Sequence, residues 1–447
     1  MTTSASRRDV LRGAAAFAGT AAIAACHNVP AVSSAAAAAV PKTVLPGGLE
    51  VRGTRFYRDG KPFFVSGFNY WSALPNARQG NDAGWDQIRR DLDAMQGLGV
   101  NMLRIMGATE GPDSEPLRIV PSLQPSPGQY DPAGVAGLLR LVAELEKRKL
   151  HAIFIMNNFW HWSGGMAQYL AWAGQGPIPY PPPHPGGSWD TYQKTTANFY
   201  SNEKALKLYD DLLRFVVPQL KSSPSVIWEL ANEPRGMRNI PAFHRWIDET
   251  AGLIRTLAPG QLITTGSEGQ TADPRYAGVD VAADHQSPNI DFITFHMWAQ
   301  NWNWVKRQSL AHDLPRALDL AKKYLNDHVT RVAKVGKPLL LEEFGFPRDE
   351  GNFDPAATTT LRDQYFDAVY GMVHSLIPNS AMAGIMPWAW AGDTRPPRPG
   401  EFWKPGDPFI GDPPHEEQGW YSVYTPDTTV KLIQDWTAKI TGTTVTS

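Results

Sequence analysis

Two glutamates, Glu233 and Glu343, each end a short apolar run of the sequence. The first lies in residues 228–234 (WELANEP) and the second in residues 339–347 (LLLEEFGFP). Cleavage of an acetal needs one group that protonates the departing oxygen and another that meets the positive charge developing on carbon. An isolated strand-end glutamate is usually a surface ion-pair partner. Two of them, each in so specific a string, favour a pair of catalytic carboxylates.

Eight apolar runs alternate with segments of helical periodicity, and this alternation predicts repeated βα units. The runs are residues 63–71, 101–106, 151–158, 226–233, 262–266, 292–298, 339–344 and 384–390. We therefore predict an α/β fold, a single (β/α)8 TIM barrel over residues 41–447, with its site at the carboxyl ends of the strands. The Pro- and Gly-rich stretches 174–187 and 395–414 lie within this pattern and predict long loops at that face.

The first 40 residues predict an export signal rather than part of the fold. Residues 6–11 (SRRDVL) precede an alanine-rich apolar stretch, which is typical of the twin-arginine route. The only cysteine, Cys26, ends a string that resembles a bacterial lipobox, where the thiol is acylated; the alternative is cleavage near residues 35–39. We expect a periplasmic, secreted or lipid-anchored protein, with no other membrane contact.

The composition of the chain argues against some classes of binding partner. The 447 residues carry a formal net charge of -2, so there is no basic excess for the phosphates of a nucleic acid. His161, His184 and His296 are isolated in the sequence, without metal-ligand spacing. We expect a monomer with no cofactor and no metal.

The strand-end motifs resemble glycoside hydrolase family 5, a clan of barrels with paired catalytic glutamates, over about residues 63–436. The family motifs are Arg104 ending the second run, Asn232-Glu233 ending the fourth and Glu343-Phe344-Gly345 ending the seventh. The strings that resemble the β-mannanase branch rather than the cellulases are Asn157-Asn158-Phe159-Trp160, His296-Met297-Trp298, Asn301-Trp302 and Trp388-Ala389-Trp390.

The resemblance implies that Glu233 is the general acid/base and Glu343 the nucleophile. Strand alternation supports Glu343 over its neighbour Glu342, which should face the other way and pair with a cation on a helix. Asn232 resembles the residue that binds the sugar 2-hydroxyl. Arg104 resembles the cation that keeps a nearby carboxylate ionised, and it could instead form a barrel salt bridge.

Other positions imply sugar contacts, with two departures from the family. Many members carry His where this chain has Asn158, and Tyr where it has Trp298, so another donor must tune the nucleophile. His296 is expected to contact the sugar or the acid/base glutamate. Five strand-end tryptophans are expected to stack on sugar rings, with Trp388 at the cleavage point; they are Trp160, Trp298, Trp302, Trp388 and Trp390.

These observations predict a retaining endo-β-1,4-mannanase whose two carboxyl groups lie about 5 to 5.5 Å apart. The alternatives are an exo-acting β-mannosidase, a β-1,4-glucanase and, more remotely, a non-catalytic glycan-binding barrel. The loop of residues 392–419 is expected to form a fixed wall beside the cleft because its prolines restrict the backbone. Phe402 and Trp403 within it are expected to pack against the cleft.

Overall fold

The first described element is a small antiparallel sheet that closes one end of a barrel. The structure, a computed structural model, describes residues 42–78 and 82–444, so the predicted export signal and Cys26 lie outside it. Strands β1 (Leu49–Arg52), β2 (Arg55–Arg58) and β3 (Lys61–Phe63) form this sheet. Phe56 packs edge-on against Phe292, with ring centroids 5.2 Å apart, at the amino-terminal end of a barrel strand. The sequence pattern had not predicted this sheet, which leaves the opposite end of the barrel open.

Eight parallel strands follow and confirm the predicted (β/α)8 barrel. They are β4 (Val65–Asn69), β5 (Met102–Met106), β6 (His151–Ile155), β7 (Val226–Glu229), β8 (Ile263–Thr264), β9 (Ile293–Trp298), β10 (Leu339–Gly345) and β11 (Met382–Ile385). Chain neighbours pair from β4 to β8 and from β9 to β11, β4 pairs with β11, and β8 and β9 are the two ends of this order. Between β8 and β9 the Thr264 hydroxyl donates to the carbonyl of Phe292 at 3.0 Å. Each strand overlaps one predicted apolar run.

Helices lie between and after the barrel strands, most of them on the outside of the barrel. They are α1 (Ala73–Arg78), α2 (Asp82–Gly97), α3 (Pro132–Arg148), α4 (Gly165–Trp172), α5 (Trp189–Thr196), α6 (Glu203–Leu220), α7 (Ile240–Leu257), α8 (Pro274–Ala277), α9 (Leu310–Val332), α10 (Thr360–Leu376) and α11 (Thr428–Thr441). Helix α3 begins where the Asp131 carboxylate accepts from the N–H of Gly134, and it ends at Lys149 with φ 57°. Its stripe of Leu138, Leu141 and Leu145 is buried, at roughly 1.5–3 kcal/mol per side chain. Within the described ranges, no helix is long and apolar enough to cross a membrane.

A long loop leaves the barrel after β11, and its two ends are held together by a pair of short strands. Strands β12 (Trp390–Gly392) and β13 (Val423–Tyr424) pair in parallel at its base, an element that the sequence analysis had not predicted. Inside the loop, the buried carboxylate of Asp412 accepts from the N–H groups of Gly419 and Tyr421 and from the Ser422 hydroxyl. These bonds give the loop one defined path over the open end of the barrel.

Candidate active site

A cavity of about 550 Å³ opens at the carboxyl ends of the barrel strands, and both predicted glutamates line it. This is the size expected of a site for a small ligand. Its walls are rich in indole rings, contributed by Trp160, Trp162, Trp189, Trp298, Trp302, Trp388 and Trp420. An aromatic wall around two carboxylates suits a ligand with apolar C–H faces and many hydroxyls.

Glu233 lies just past β7 in an uncommon backbone conformation. Its φ of 47° falls in the left-handed region, which costs a residue other than glycine about 1–3 kcal/mol, a strain that is often found at functional sites. The backbone N–H of Glu233 donates to the carbonyl of Gly266 at 2.9 Å, which helps to hold this conformation. The strained turn therefore fixes the carboxylate at the cavity wall.

His296, in β9, connects the two glutamates. Its Nδ1 lies 2.7 Å from Glu233 Oε1 and 3.2 Å from Glu343 Oε2. One oxygen of each glutamate and a ring nitrogen of the histidine all lie within 4.8 Å of one another. Retaining glycosidases hold their carboxyl groups about 5–5.5 Å apart, whereas inverting enzymes need about 6.5–9.5 Å to admit a water. The geometry is that of a retaining pair, and of the two contacts expected for His296 it shows the one with Glu233.

Arg104, in β5, lies beneath the glutamates and is fully buried. Its guanidinium makes two parallel bonds to Glu229, at 2.6 and 2.7 Å, and also donates to Glu343 and to Asn232. Burial alone would lower the pKa of Arg104, but Glu229, Glu342 and Glu343 outweigh it and raise the pKa well above its ordinary value. Arg104 thus combines the two predicted roles, as a cation beside a carboxylate and as a salt bridge inside the barrel. Arg104 and His296 are both in contact with the Glu343 carboxylate.

The charges around the pair set its proton balance. Burial lowers the pKa of His296, but the neighbouring glutamates more than offset this and raise it to about 10. Burial raises the pKa of Glu343 to about 7, although His296 and Arg104 act in the opposite direction. Burial also opposes ionisation of Glu233, but its bond from His296 and the nearby Arg235 lower that pKa to about 2. In the ligand-free site, the proton between His296 and Glu233 therefore resides on the imidazole.

Glu342 does not occupy the position predicted for it. The pairing of β10 with β9 shifts register between Leu341 and Glu343, so strand alternation breaks at Glu342. Its carboxylate is buried 3.6 Å from Arg104 Nε and 3.5 Å from His296 Nε2, and the expected cation on a helix is not its partner. Glu343 lines the cavity whereas Glu342 does not, which agrees with the choice between them.

Asn158 supports the site from behind and does not line the cavity, where a contact with substrate was predicted. Its side-chain oxygen accepts from Asn232 Nδ2 at 3.2 Å and from the N–H of Trp160 at 2.9 Å. Asn232 also accepts from Arg104, and it does line the cavity. The asparagine pair therefore orients the group predicted to bind the sugar 2-hydroxyl.

Trp160 lines the cavity, but its ring is not free to stack on a sugar. Its indole N–H donates to Glu233 Oε2, and the Arg235 guanidinium lies over its ring, 4.8 Å from the centroid. The ring of Tyr192 lies nearly parallel to it at 6.3 Å. Trp160 thus presents its polar edge to the acid/base glutamate while neighbours cover its faces.

Of the remaining predicted platforms, Trp298, Trp302 and Trp388 line the cavity and Trp390 does not. Trp390 is 1% exposed, and its N–H donates to the buried carboxylate of Asp91 at 3.0 Å. Strand β12 turns this ring into the core, away from the cavity where it was predicted to bind sugar. Trp388 is the opposite case, since its buried N–H has no hydrogen-bond partner among the described residues.

Several charged residues of the site were not predicted from the sequence. Glu229 stands inside the WELANEP string, and a carboxylate within an apolar strand was the available signal. Glu268 follows β8 and forms a two-bond ion pair with Arg235, and both line the cavity. The spacing of strand-end acids could have revealed Glu268.

The long loop contributes a set of residues that the sequence did not reveal. Pro413, His415 and Glu416 line the cavity. Trp403 stacks on Phe409 at 5.0 Å and does not line the cavity itself, but it packs in the buried apolar cluster that contains the cavity residues Trp298 and Trp388. Phe402 lies outside the cavity lining as well. The long loop does form one side of the cavity. Which of its residues line the cavity depends on the path of the loop, and local sequence pattern does not determine that path.

Glu233, His296 and Glu343 have the spacing of a three-ligand metal site. A histidine nitrogen binds a metal only when it is deprotonated. Because the surrounding glutamates raise the pKa of His296 to about 10, its Nδ1 carries a proton and donates to Glu233. The trio therefore fits a hydrogen-bonded acid/base pair better than it fits a metal ion.

Comparisons with known proteins agree with this geometry. The family described as GH family 5 beta-mannosidase-like matches residues 48–444. Mannan endo-1,4-beta-mannosidase A of Podospora anserina is 28% identical over 76% of this chain and 82% of its own length. The crystal structure of a glycoside hydrolase family 5 mannosidase from Rhizomucor miehei superposes with a TM-score of 0.80, at 30% identity, over 88% of this chain and 98% of that one. The chain belongs to glycoside hydrolase family 5 and to its β-mannosidase-like group.

Proposed function

We propose that this protein is a retaining glycoside hydrolase that cleaves β-1,4-mannosidic bonds in mannans and manno-oligosaccharides, as a mannan endo-1,4-β-mannosidase. The observation that carries the proposal is the close pair Glu233 and Glu343 at the base of a cavity walled by tryptophan. The names of the relatives supply the sugar, since they include mannan endo-1,4-beta-mannosidases. A variant of the Rhizomucor miehei mannosidase, 31% identical, was solved with mannosyl-fructose.

The first step forms a covalent intermediate. A Glu343 oxygen bonds to the anomeric carbon as the glycosidic C–O bond breaks, and Glu233 delivers a proton to the departing oxygen. That proton is available because His296 Nδ1 donates to Glu233 Oε1 across 2.7 Å. Arg104 holds the other side of Glu343 and keeps its attacking form charged. The leaving chain then departs with its hydroxyl restored.

The second step releases the sugar. Glu233, now a carboxylate, removes a proton from a water that attacks the anomeric carbon, and the bond to Glu343 breaks. Two inversions at the same carbon give net retention. Asn232 is held by Arg104 and Asn158 and faces the cavity, where its free N–H can reach the 2-hydroxyl.

Product analysis tests the proposed function. The purified protein is incubated with β-1,4-mannohexaose and, separately, with cellohexaose, and the anomeric protons are followed by NMR. We expect hydrolysis of the mannan oligomer with initial release of the β-anomer, and Glu343→Ala as the inactive control. Preferential cleavage of cellohexaose would favour a β-1,4-glucanase, and no cleavage of either would favour a glycan-binding barrel.

A second candidate, an exo-acting β-mannosidase, is favoured by the wall that the long loop builds. Glu416 lines the cavity and is partly buried, and its burial together with Asp412 and Glu343 raises its pKa well above the ordinary value. A neutral carboxylic acid there could donate to a terminal hydroxyl and block a longer chain. With mannohexaose labelled at its reducing end, endo action gives early mannobiose and mannotriose. Exo action gives mannose as the only early product.

We also propose export by the twin-arginine route, from the string at residues 6–11, with acylation of Cys26 as one outcome and cleavage near residues 35–39 as the other. Replacing Arg7 and Arg8 with lysine should retain the protein in the cytoplasm. Mass spectrometry of the exported protein distinguishes the lipid-modified amino terminus from the cleaved one. We propose a monomer, which light scattering on the purified protein tests.

A further inference from the structure

The topology of the barrel divides the cavity into two sides. Glu233 follows β7, and the loops beside it leave β6 and β8. Glu343 lies in β10, and the loops beside it leave β9 and β11. In the proposed reaction, the departing oxygen receives its proton from Glu233. The sugars of the leaving chain therefore lie on the side bounded by the β6 and β8 loops.

Two exposed aromatic side chains stand at the mouth of this side. Trp189 and Tyr276 are each 40% exposed, and both line the cavity. Trp189 begins helix α5 on the β6 loop, and Tyr276 belongs to the short helix α8 on the β8 loop. The other exposed large apolar side chains of the described residues are Val44, Leu139 and Ile240, and none of them lines the cavity. Exposed aromatics at a cavity rim indicate a binding surface.

Packing fixes both rings in place. Trp189 meets Trp160 edge-on at 5.7 Å and Tyr192 edge-on at 6.4 Å. The Tyr276 hydroxyl donates at 2.9 Å to the carboxylate of Asp190, the residue after Trp189. This bond joins the β6 loop to the β8 loop across the rim. A ring held in this way loses little freedom when a ligand stacks on it.

We propose that Trp189 and Tyr276 form a sugar platform for the leaving chain, beyond the mannose whose oxygen Glu233 protonates. This inference rests on the proposed function, because it takes its direction from the role of Glu233. The apolar C–H face of a mannose unit stacks on the exposed indole face. Gln193 and Asp273 also line the cavity, where their polar side chains can bind sugar hydroxyls. The platform thereby selects substrates with a long leaving chain.

Substrates of different length on the leaving side test the platform. Trp189→Ala should raise KM for mannohexaose about tenfold, the loss of one good stacking contact, with little change in kcat. The same variant should hydrolyse an aryl β-mannobioside as the wild type does, because that substrate carries no sugar on the leaving side. Tyr276→Ala should act in the same direction, and Ile240→Ala, an exposed apolar side chain outside the cavity, is the matched control.

Two results would overturn the platform. An unchanged KM for mannohexaose in Trp189→Ala would show that the ring does not contact substrate. An equal loss on the aryl mannobioside would show that Trp189 acts through the catalytic groups or binds the other end of the chain. If the wild type hydrolysed neither substrate, the proposed function would fail. Calorimetric titration of mannohexaose into Glu343→Ala, with and without Trp189→Ala, would still test the platform.

Discussion

Glu342 and Glu343 are consecutive residues of β10, yet both carboxylates reach Arg104. Regular strand alternation would place them on opposite faces, and the register shift against β9 removes that separation. Only Glu343 lines the cavity, so position rather than charge distinguishes the nucleophile from its neighbour. The pair therefore provides a sharp test of the assignment.

Replacing each of these glutamates should give different losses. Glu343→Ala should abolish hydrolysis of both mannohexaose and an activated aryl β-mannoside, because no group remains to bond to the anomeric carbon. Glu342→Ala should keep measurable turnover, since it changes only the charges around Arg104 and His296. Steady-state rates on both substrates check this. Turnover retained in Glu343→Ala and lost in Glu342→Ala would show that the nucleophile is Glu342.

If Glu233 is the acid/base catalyst, the effect of replacing it should depend on the leaving group of the substrate. Glu233→Ala should slow hydrolysis of mannohexaose roughly 10²- to 10⁴-fold because the departing oxygen has lost its proton donor. The first step on an activated aryl mannoside needs little protonation and should be much less affected. Added azide should restore turnover and give a β-mannosyl azide. A loss equal on both substrates, without azide rescue, would remove the acid/base role.

The charge on His296 should control the acid limb of the pH profile. Glu343 attacks as a carboxylate, and because its pKa is raised to about 7, kcat/KM should fall as the pH drops through that value. The His296 imidazolium lowers the pKa of Glu343, so in His296→Asn that pKa rises and the acid limb moves to higher pH. On the alkaline side, activity should fall as His296 loses its proton near pH 10. Profiles of kcat/KM on mannohexaose, whose leaving oxygen needs a proton, measure both limbs, and an acid limb unmoved in His296→Asn would contradict this.

Substitutions at Trp388 and Trp390 should have different effects, one on substrate binding and the other on stability. Trp390→Phe removes one of two donors to the buried Asp91 carboxylate, the other being the Tyr70 hydroxyl, and should cost about 1–3 kcal/mol of unfolding free energy, with KM unchanged. Trp388→Phe leaves no protein group unsatisfied, since its N–H has no partner among the described residues, and it should reduce kcat/KM instead. Denaturant unfolding and steady-state kinetics on both variants give the comparison. A stable Trp390→Phe with impaired binding would return Trp390 to the site.

The features that could be predicted from the sequence are those that depend on residues close together in the chain. The eight strands follow from apolar runs, and the positions of Glu233 and Glu343 at the cavity follow from strand-end motifs. The bulge at Glu342 could not be predicted because register depends on the partner strand. Trp388 and Trp390 look alike in sequence, two residues apart, and only the turn of the chain after β11 sends one ring to the cavity and the other to the core.

Contacts between distant segments were the least predictable. His415 and Glu416 reach the cavity because Asp412 fixes the loop by bonds to Gly419 and Ser422, and no local periodicity records such bonds. The ion pair of Arg235 and Glu268 likewise joins residues that follow two different strands. These long-range contacts also govern chain-length selection, which is the part of the function that the motifs leave open.

The most direct measurement traps the covalent intermediate on Glu343. A 2-deoxy-2-fluoro-β-mannosyl fluoride slows both steps but keeps a good leaving group, so the sugar should accumulate on the nucleophile. After proteolysis, tandem mass spectrometry should place one fluoromannosyl group on Glu343, in the peptide that contains residues 339–347. A label on Glu342 or Glu233 would contradict the assignment. An unlabelled protein that still releases inverted product from mannohexaose would contradict the double-displacement account as a whole.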